Sequence, residues 1–227
     1  MNEASKIADS VALAPLSRDH DYIRRNPAPA YWALSPFLIH QHTDASCSLA
    51  TATMLLNGMR AIEGQGRIGE FVSERNLLER MADDQWAREI TPPEGNGLSL
   101  VELQEKMTGA LALYGLAGWR AEHRIVNAAD AGTAAAFRAE LTAMERDGDR
   151  LMAGNYHLAT TYGDDWDVGH FSPFGAYDSA KDRVLLLDVW KADYEPCWVD
   201  LGRLLNGMTP VSPVSGTPRG FLVLKRG

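Results

Sequence analysis

The sequence predicts an α+β protein, with a mainly helical first part packed on an antiparallel sheet built from the last third. Three observations carry this. Helical apolar spacing dominates residues 47–146, strand-length apolar runs dominate after residue 150, and two of those runs flank the short polar turn Asp178–Asp182 as a hairpin would.

Residues 1–30 are polar and proline-punctuated, which predicts an N-terminal arm. Residues 31–227 then form a single domain with two lobes, 31–146 and 147–227. Trp32 to Ile39 leads into a loop at Gln41. From Cys47 to about Ile62 apolar residues fall on several faces, so this helix is largely buried. Asp44 or Ser46 is placed to cap it, and Gly64 and Gly66 to end it. Residues 69–82 and 98–114 have helical spacing, separated by the breaker-rich loop Thr91–Gly97. Trp119–Val126 reads as a strand and Ala128–Arg146 as an alanine-rich helix. Leu151–Tyr156, Gly169–Tyr177, Arg183–Trp190 and Gly220–Lys225 read as further strands.

Composition bounds the function. The 227 residues are 45% hydrophobic and 23% charged, as in an ordinary globular domain. The net charge of −8 argues against nucleic acid or an anionic membrane as a partner. Two cysteines, Cys47 and Cys197, are too few for a disulfide scaffold. No basic segment followed by an apolar stretch opens the chain, and no apolar run approaches the roughly 20 residues that span a bilayer. The expectation is a soluble protein of a reducing compartment, the cytoplasm.

The chemistry concentrates in Gln41–Cys47 and the Gly169–Trp190 hairpin. Cys47 opens a buried helix, where unsatisfied N–H groups and the helix dipole favour a thiolate. The Gln41 side chain and the Cys47 backbone N–H can converge on the oxygen of a tetrahedral intermediate. Pairing Tyr177 with Arg183 sets Asp188 opposite Ser172, and pairing Tyr177 with Lys181 sets it opposite His170. In both registers His170 and Asp188 share a face. A carboxylate inside Val184–Val189 is costly unless compensated, and an imidazole N–H compensates it while freeing the other ring nitrogen for a thiol. Alone, Cys47 reads as a small buried hydrophobe and His170 as a satisfied core histidine. Together with Asp188 and Gln41 they read as a nucleophile, base and orienting acid with an oxyanion donor.

Other features read more plainly. His40 and His42 lack the second cluster that a metal site needs. Asp164-Asp165-Trp166-Asp167 lacks the glycine and distal glutamate of a calcium loop and reads as a solvated acidic loop, with a role in attracting a cationic acyl acceptor as a hypothesis. Cys197 reads as a structural thiol.

These residues resemble the phytochelatin synthase family, within the papain-like cysteine peptidase superfamily. The resemblance covers roughly residues 35–60 and 150–225. It rests on Gln41 six before Cys47, Ala50, Met54-Leu55-Leu56-Asn57, Asn155-Tyr156, Gly169-His170-Phe171-Ser172-Pro173, Leu187-Asp188-Val189, Tyr194, Pro196, Trp198-Val199, Met208 and Arg219-Gly220-Phe221. It implies a papain-like fold, Cys47 as nucleophile, His170 as base, Asp188 as orienting acid and Gln41 in the oxyanion hole. It further implies cleavage of glycine from glutathione through a γ-glutamylcysteinyl thioester, which passes to water or to the amine of a second glutathione. No resident cofactor or metal site is implied, since heavy metals enter as thiolates on the substrate.

Some positions depart from the family pattern. Ser48 stands where a glycine commonly follows the nucleophile. Arg219 keeps an arginine that grips the γ-glutamyl group, but its partner aspartate is Ser212. A basic pair after the triad acid becomes Lys191 and Asp193. Arg219, Ser212, Lys191 and Tyr156 are the candidate substrate-binding residues. The cysteine-rich C-terminal domain of plant members is absent from this sequence. The expected function is a cysteine acyltransferase or peptidase that takes a small-molecule or peptide acyl donor and an amine acceptor. One alternative is an amide-forming acyltransferase of a specialised pathway, with an acyl carrier protein as donor-side partner. Another is a non-catalytic binding protein. Self-association as a homodimer is left open.

Overall fold

Residues 47–62 form the helix that their apolar residues predict, and the other elements are arranged around it. The computed structural model describes residues 13–67, 69–93 and 95–227. In chain order the elements are β1 (Leu13–Pro15), α1 (Asp21–Arg25), α2 (Pro29–Leu34), α3 (Cys47–Ile62), α4 (Glu74–Met81), α5 (Asp84–Glu89), α6 (Leu100–Leu113), β2 (Trp119–Ile125), α7 (Ala131–Asp147), β3 (Arg150–His157), α8 (Leu158–Tyr162), β4 (Gly169–Asp178), β5 (Arg183–Leu186), β6 (Cys197–Asp200), α9 (Leu201–Met208) and β7 (Gly220–Arg226). The strands form one seven-stranded sheet in the order β1-β6-β5-β4-β3-β7-β2, and every pairing is antiparallel.

Every residue of α3 from Cys47 to Met59 is buried, because the helix packs on β3 and β4 while α2, α4 and α6 cover it. The central strands are buried on both faces: all of β4 after Gly169 is hidden, as is β3 between its end residues. The edge strand β2 instead keeps partly exposed residues.

The expected arm and lobe boundaries differ from what forms. Residues 1–12 of the arm lie outside the described residues. Residues 13–30 are folded: β1 pairs with β6, and Ile23, Ala28 and Ala30 join the core. The helical lobe assigned to 31–146 also lends β2 to the sheet of the other lobe, where it pairs with β7.

Helix starts follow their capping residues. Ser73 and Ser99 form capping boxes with Asn76 and Glu102, while Asp83, Asp130 and Asp200 cap α5, α7 and α9. This moves the start of the 69–82 helix to residue 74, since Phe71 and Val72 precede the cap. The first turn of α3 has no side-chain cap. Ser46 occupies its N-cap position, but its hydroxyl turns back, accepting from Thr43 N at 2.8 Å and donating to Thr43 O at 3.0 Å.

The hairpin register is neither of the two expected ones at the turn. Asp178 pairs with Arg183, Tyr177 with Val184 and Ala176 with Leu185; then Phe174 pairs with Leu186, leaving Gly175 as an extra bulged residue. Beyond it, Leu187 N–H donates to Pro173 O at 2.9 Å. One residue further, Asp188 comes level with Ser172 and shares the face of His170. Without the bulge Asp188 would stand level with Pro173 and face the opposite way. A Cβ at Gly175 would lie 3.0 Å from Leu187 Cγ and 3.1 Å from Leu185 Cδ2, so a side chain there would press on the leucines that close the bulge. The strand expected over 183–190 ends at Leu186, because the Asp188 carboxylate takes up the Trp190 backbone N–H at 2.8 Å in a local turn.

Candidate active site

Three elements converge where α3 meets β4. Cys47 is the first residue of α3, His170 the second of β4, and Asp188 follows β5. His170 and Asp188 are buried, at 1% and 0% exposure, and His170 Nε2 donates to Asp188 Oδ1 at 2.9 Å. The Cys47 thiol lies near the same imidazole and helps to raise its pKa.

The carboxylate is fully supplied with donors. Oδ1 accepts from His170 and from Trp190 N–H, and Oδ2 accepts from Tyr162 Oη at 2.7 Å and Tyr156 Oη at 3.0 Å. A buried ion without such partners would cost several kcal/mol. Burial raises the Asp188 pKa, but the charge and hydrogen bond of His170, with Tyr162 and the Trp190 N–H, outweigh it and hold the group below its ordinary value. Burial also works against a charged His170, but the Asp188 carboxylate and then the Cys47 thiol lift its pKa above the ordinary imidazole range. The acid is therefore ionised and the imidazole is unusually basic. Tyr156 sets its ring edge-on to His170, with centroids 5.7 Å apart, and the Trp190 ring lies 6.3 Å away.

The loop before Cys47 is bound to the segment after Asp188. Gln41 N–H donates to Val189 O at 2.8 Å, and Lys191 N–H donates to His40 Nδ1 at 3.1 Å. This gives His40 a structural use. Gln41 is 3% exposed, one amide hydrogen goes to Thr43 O at 2.9 Å, and Oε1 is buried without a partner. The uncapped first turn of α3 and the second Gln41 amide hydrogen are donors of the kind that stabilise negative charge on oxygen. Ser48 uses its hydroxyl to accept from the indole Nε1 of buried Trp86 at 3.3 Å, which fixes α5 against the start of α3.

The four candidate substrate residues separate into different settings. Arg219 is 3% exposed, donates from Nη1 to Pro210 O at 2.9 Å, and leaves Nε without a partner. Its guanidinium lies over Gly169, next to His170: a Cβ there would be 3.0 Å from Nε. Burial lowers the Arg219 pKa, against the opposing charge of Asp167. Ser212 closes its own turn, its Oγ accepting from Val214 N at 3.3 Å and its backbone N–H donating to Thr217 O. Lys191 is exposed. Tyr156, expected at the substrate, is completely buried, with its hydroxyl 3.0 Å from both Asp188 and Ser172 Oγ. In the acidic loop Asp164 bonds Tyr194, and Asp167 accepts from His157 Nε2 at 2.7 Å.

Tyr162 was not singled out from the sequence, although it makes the shorter of the two phenol bonds to Asp188. The available signal was the carboxylate's capacity, since a buried Asp accepts more bonds than one histidine can supply. Among the described residues no group of three or more His, Cys, Asp or Glu could hold a metal ion, and no helix is long and apolar enough to cross a membrane.

The family model of phytochelatin synthase matches residues 21–221. A glutathione gamma-glutamylcysteinyltransferase of Schizosaccharomyces pombe is 27% identical over 195 residues, 86% of this chain and 43% of that protein. Glutathione gamma-glutamylcysteinyltransferase 3 of Lotus japonicus is 27% identical over 196 residues, 86% of this chain and 37% of that protein. Glutathione gamma-glutamylcysteinyltransferase 2 of Arabidopsis thaliana is 25% identical over 207 residues, 91% of this chain and 42% of that protein. The chain thus spans about two-fifths of the length of these curated relatives. With its α+β architecture, this match over most of the sequence settles the assignment: the chain belongs to the phytochelatin synthase family.

Proposed function

We propose that this protein is a cysteine acyl enzyme on a papain-like fold, acting on glutathione or a related γ-glutamyl peptide. The observation that carries the reading is the buried His170 bonded to the four-fold bonded Asp188, near the thiol of Cys47 at the start of α3. His170 takes the Cys47 proton, and the thiolate attacks the carbonyl carbon of the substrate's glycyl amide. Cys47 N–H and the Gln41 amide hold the resulting oxyanion. As the C–N bond breaks, His170 gives its proton to the glycine amine, leaving a γ-glutamylcysteinyl thioester on Cys47. Water or a second amine then attacks the thioester, and His170 receives the incoming proton and returns it to the Cys47 sulfur.

Arg219, a buried cation with an unpartnered Nε beside Gly169, is the group we assign to a substrate carboxylate. Tyr156 and Tyr162 act as positioning residues through Asp188. Ser212 favours a second reading, an amide-forming acyltransferase with another acyl donor, because its hydroxyl serves its own turn and supplies no charge for a substrate ammonium.

Intact-mass analysis after incubation with glutathione tests the reading. A γ-glutamylcysteinyl adduct with glycine release, absent in Cys47→Ala, is expected. An adduct only from an acyl-thioester donor favours the second reading, and no adduct from either donor overturns both.

A further inference from the structure

On the face of β4 that carries His170, the next side chain is Ser172, two residues along the strand. It is completely buried, and a buried hydroxyl needs a partner. Its Oγ lies 3.0 Å from Tyr156 Oη. The strand register brings the two together. On β3, Tyr156 pairs with His170 and Gly154 with Ser172, so Tyr156 and Ser172 are diagonal neighbours on one face. A Cβ at Gly154 would come within 3.1 Å of Tyr156 Cδ1, so the missing side chain there admits the ring.

The Tyr156 hydroxyl carries one proton and has two oxygens at 3.0 Å, Ser172 Oγ and Asp188 Oδ2. Asp188, held ionised against its burial by His170 and its other donors, has no proton to give. A phenol turned to Ser172 would set its lone pairs against a carboxylate oxygen, whereas one turned to Asp188 makes a charge-assisted bond. The single proton therefore goes to Asp188, and the Ser172 hydroxyl, which rotates to suit, donates to Tyr156 Oη. The donors then run one way, from Ser172 to Tyr156 to Asp188. His170 and Ser172, neighbours on one strand face, hold the same carboxylate at its two oxygens, one directly and one through the phenol.

We propose that Ser172 is a positioning residue for the His170–Asp188 pair, acting through the Tyr156 hydroxyl. The proposal rests on the reading of His170 as the base that serves Cys47. By donating to Tyr156, Ser172 polarises the phenol O–H and strengthens its bond to Asp188, since hydrogen bonds in a chain reinforce one another by about 10–30%. It also fixes the direction in which the phenol proton points. Without Ser172 the Tyr156 oxygen keeps an unfilled acceptor in a buried site, and Asp188 Oδ2 is left with Tyr162 as its one full-strength donor. The carboxylate that orients the imidazole is then held less firmly.

The test is a double-mutant cycle of Ser172→Ala and Tyr156→Phe with two readouts. One is the downfield proton NMR resonance of the His170 Nε2–H that Asp188 accepts, recorded in the Cys47→Ala protein. The other is steady-state turnover of glutathione by the protein with Cys47 intact. Ser172→Ala shifts the resonance and lowers kcat about two- to fivefold with KM little changed, the share of one charge-assisted bond that the chain reinforces. In the Tyr156→Phe background the same substitution moves neither readout, because no phenol proton is left to aim. A resonance that Ser172→Ala leaves in place, or shifts equally with and without the Tyr156 hydroxyl, overturns the proposal even if glutathione is turned over. A shift that vanishes in Tyr156→Phe, in a protein that forms no acyl adduct with glutathione, upholds Ser172 as a positioning residue and overturns only the choice of substrate.

Discussion

Cys47 and Cys197 are hidden to nearly the same degree, at 6% and 8% exposure, yet His170 lies near the first, while Asp188 acts directly on the second. Cys47 begins an uncapped helix and lies near His170, the imidazole that Asp188 holds. Cys197, on β6, donates from its Sγ to Trp198 O at 3.4 Å. Burial, reinforced by the negative charges of Glu195 and Asp188, pushes the Cys197 thiol up to about 12. The same carboxylate raises the basicity of the imidazole beside Cys47 and suppresses ionisation of Cys197. Burial alone therefore says little about a cysteine, and the group standing between it and the nearest charge says more.

The largest expected contrast is catalytic. Cys47→Ala lowers turnover of glutathione by about 10⁴-fold or more. Cys197→Ala leaves kcat unchanged and costs about 1 kcal/mol in a urea melt. Equal loss in the two variants would erase the distinction. Asp188→Asn keeps the shape but removes the charge that orients and supports His170, so steady-state kinetics should show kcat lower by about 10²–10⁴-fold. Tyr162→Phe leaves Asp188 Oδ2 with one donor. It should lower kcat about tenfold with KM little changed, because losing a hydrogen bond to a charged group costs about 1.5–3 kcal/mol, only part of which reaches the transition state.

A smaller effect lies in stability against pH. His170 is raised, so its contribution is complete below its ordinary value of 6.5 and fades as pH rises through the folded-state value. Asp188 is lowered, so its contribution is complete above its ordinary value of 3.8 and fades as pH falls through the folded-state value. The stability gap between the native protein and Asp188→Asn should therefore be widest between pH 3.8 and 6.5 and narrow on both sides, as denaturation midpoints across pH would show. A gap that does not vary with pH would mean that the pair is not ionised.

Much of this contrast was legible in the sequence. Cys47 at a helix start, Gln41 before it, and one strand face shared by His170 and Asp188 follow from periodicity and the cost of burying a carboxylate. The α+β class followed from the order of helical and strand patterns. The rest depended on details that periodicity does not encode. The turn pairs Tyr177 with Val184, and only the bulge at Gly175 returns Asp188 to the face of His170. Residues 13–30 look like a polar arm because β1 is three residues long and draws its partners from β6, far along the chain. Tyr162 sits in a five-residue helix with no pattern of its own, and its place beside the acid appears only when Asp188, 26 positions later, brings its carboxylate to it. The resemblance makes Tyr156 a candidate substrate residue, and nothing in the sequence shows that its buried hydroxyl donates to Asp188.

The most direct measurement is alkylation of the folded protein with iodoacetamide at neutral pH, read cysteine by cysteine by peptide mapping, in the native protein and in Asp188→Asn. Rapid modification of Cys47 alone, slowed in Asp188→Asn, with Cys197 reacting only after unfolding, is the predicted result. Modification of both cysteines at the same slow rate, unaffected by Asp188→Asn, would contradict the claim that the His170–Asp188 pair makes Cys47 a nucleophile.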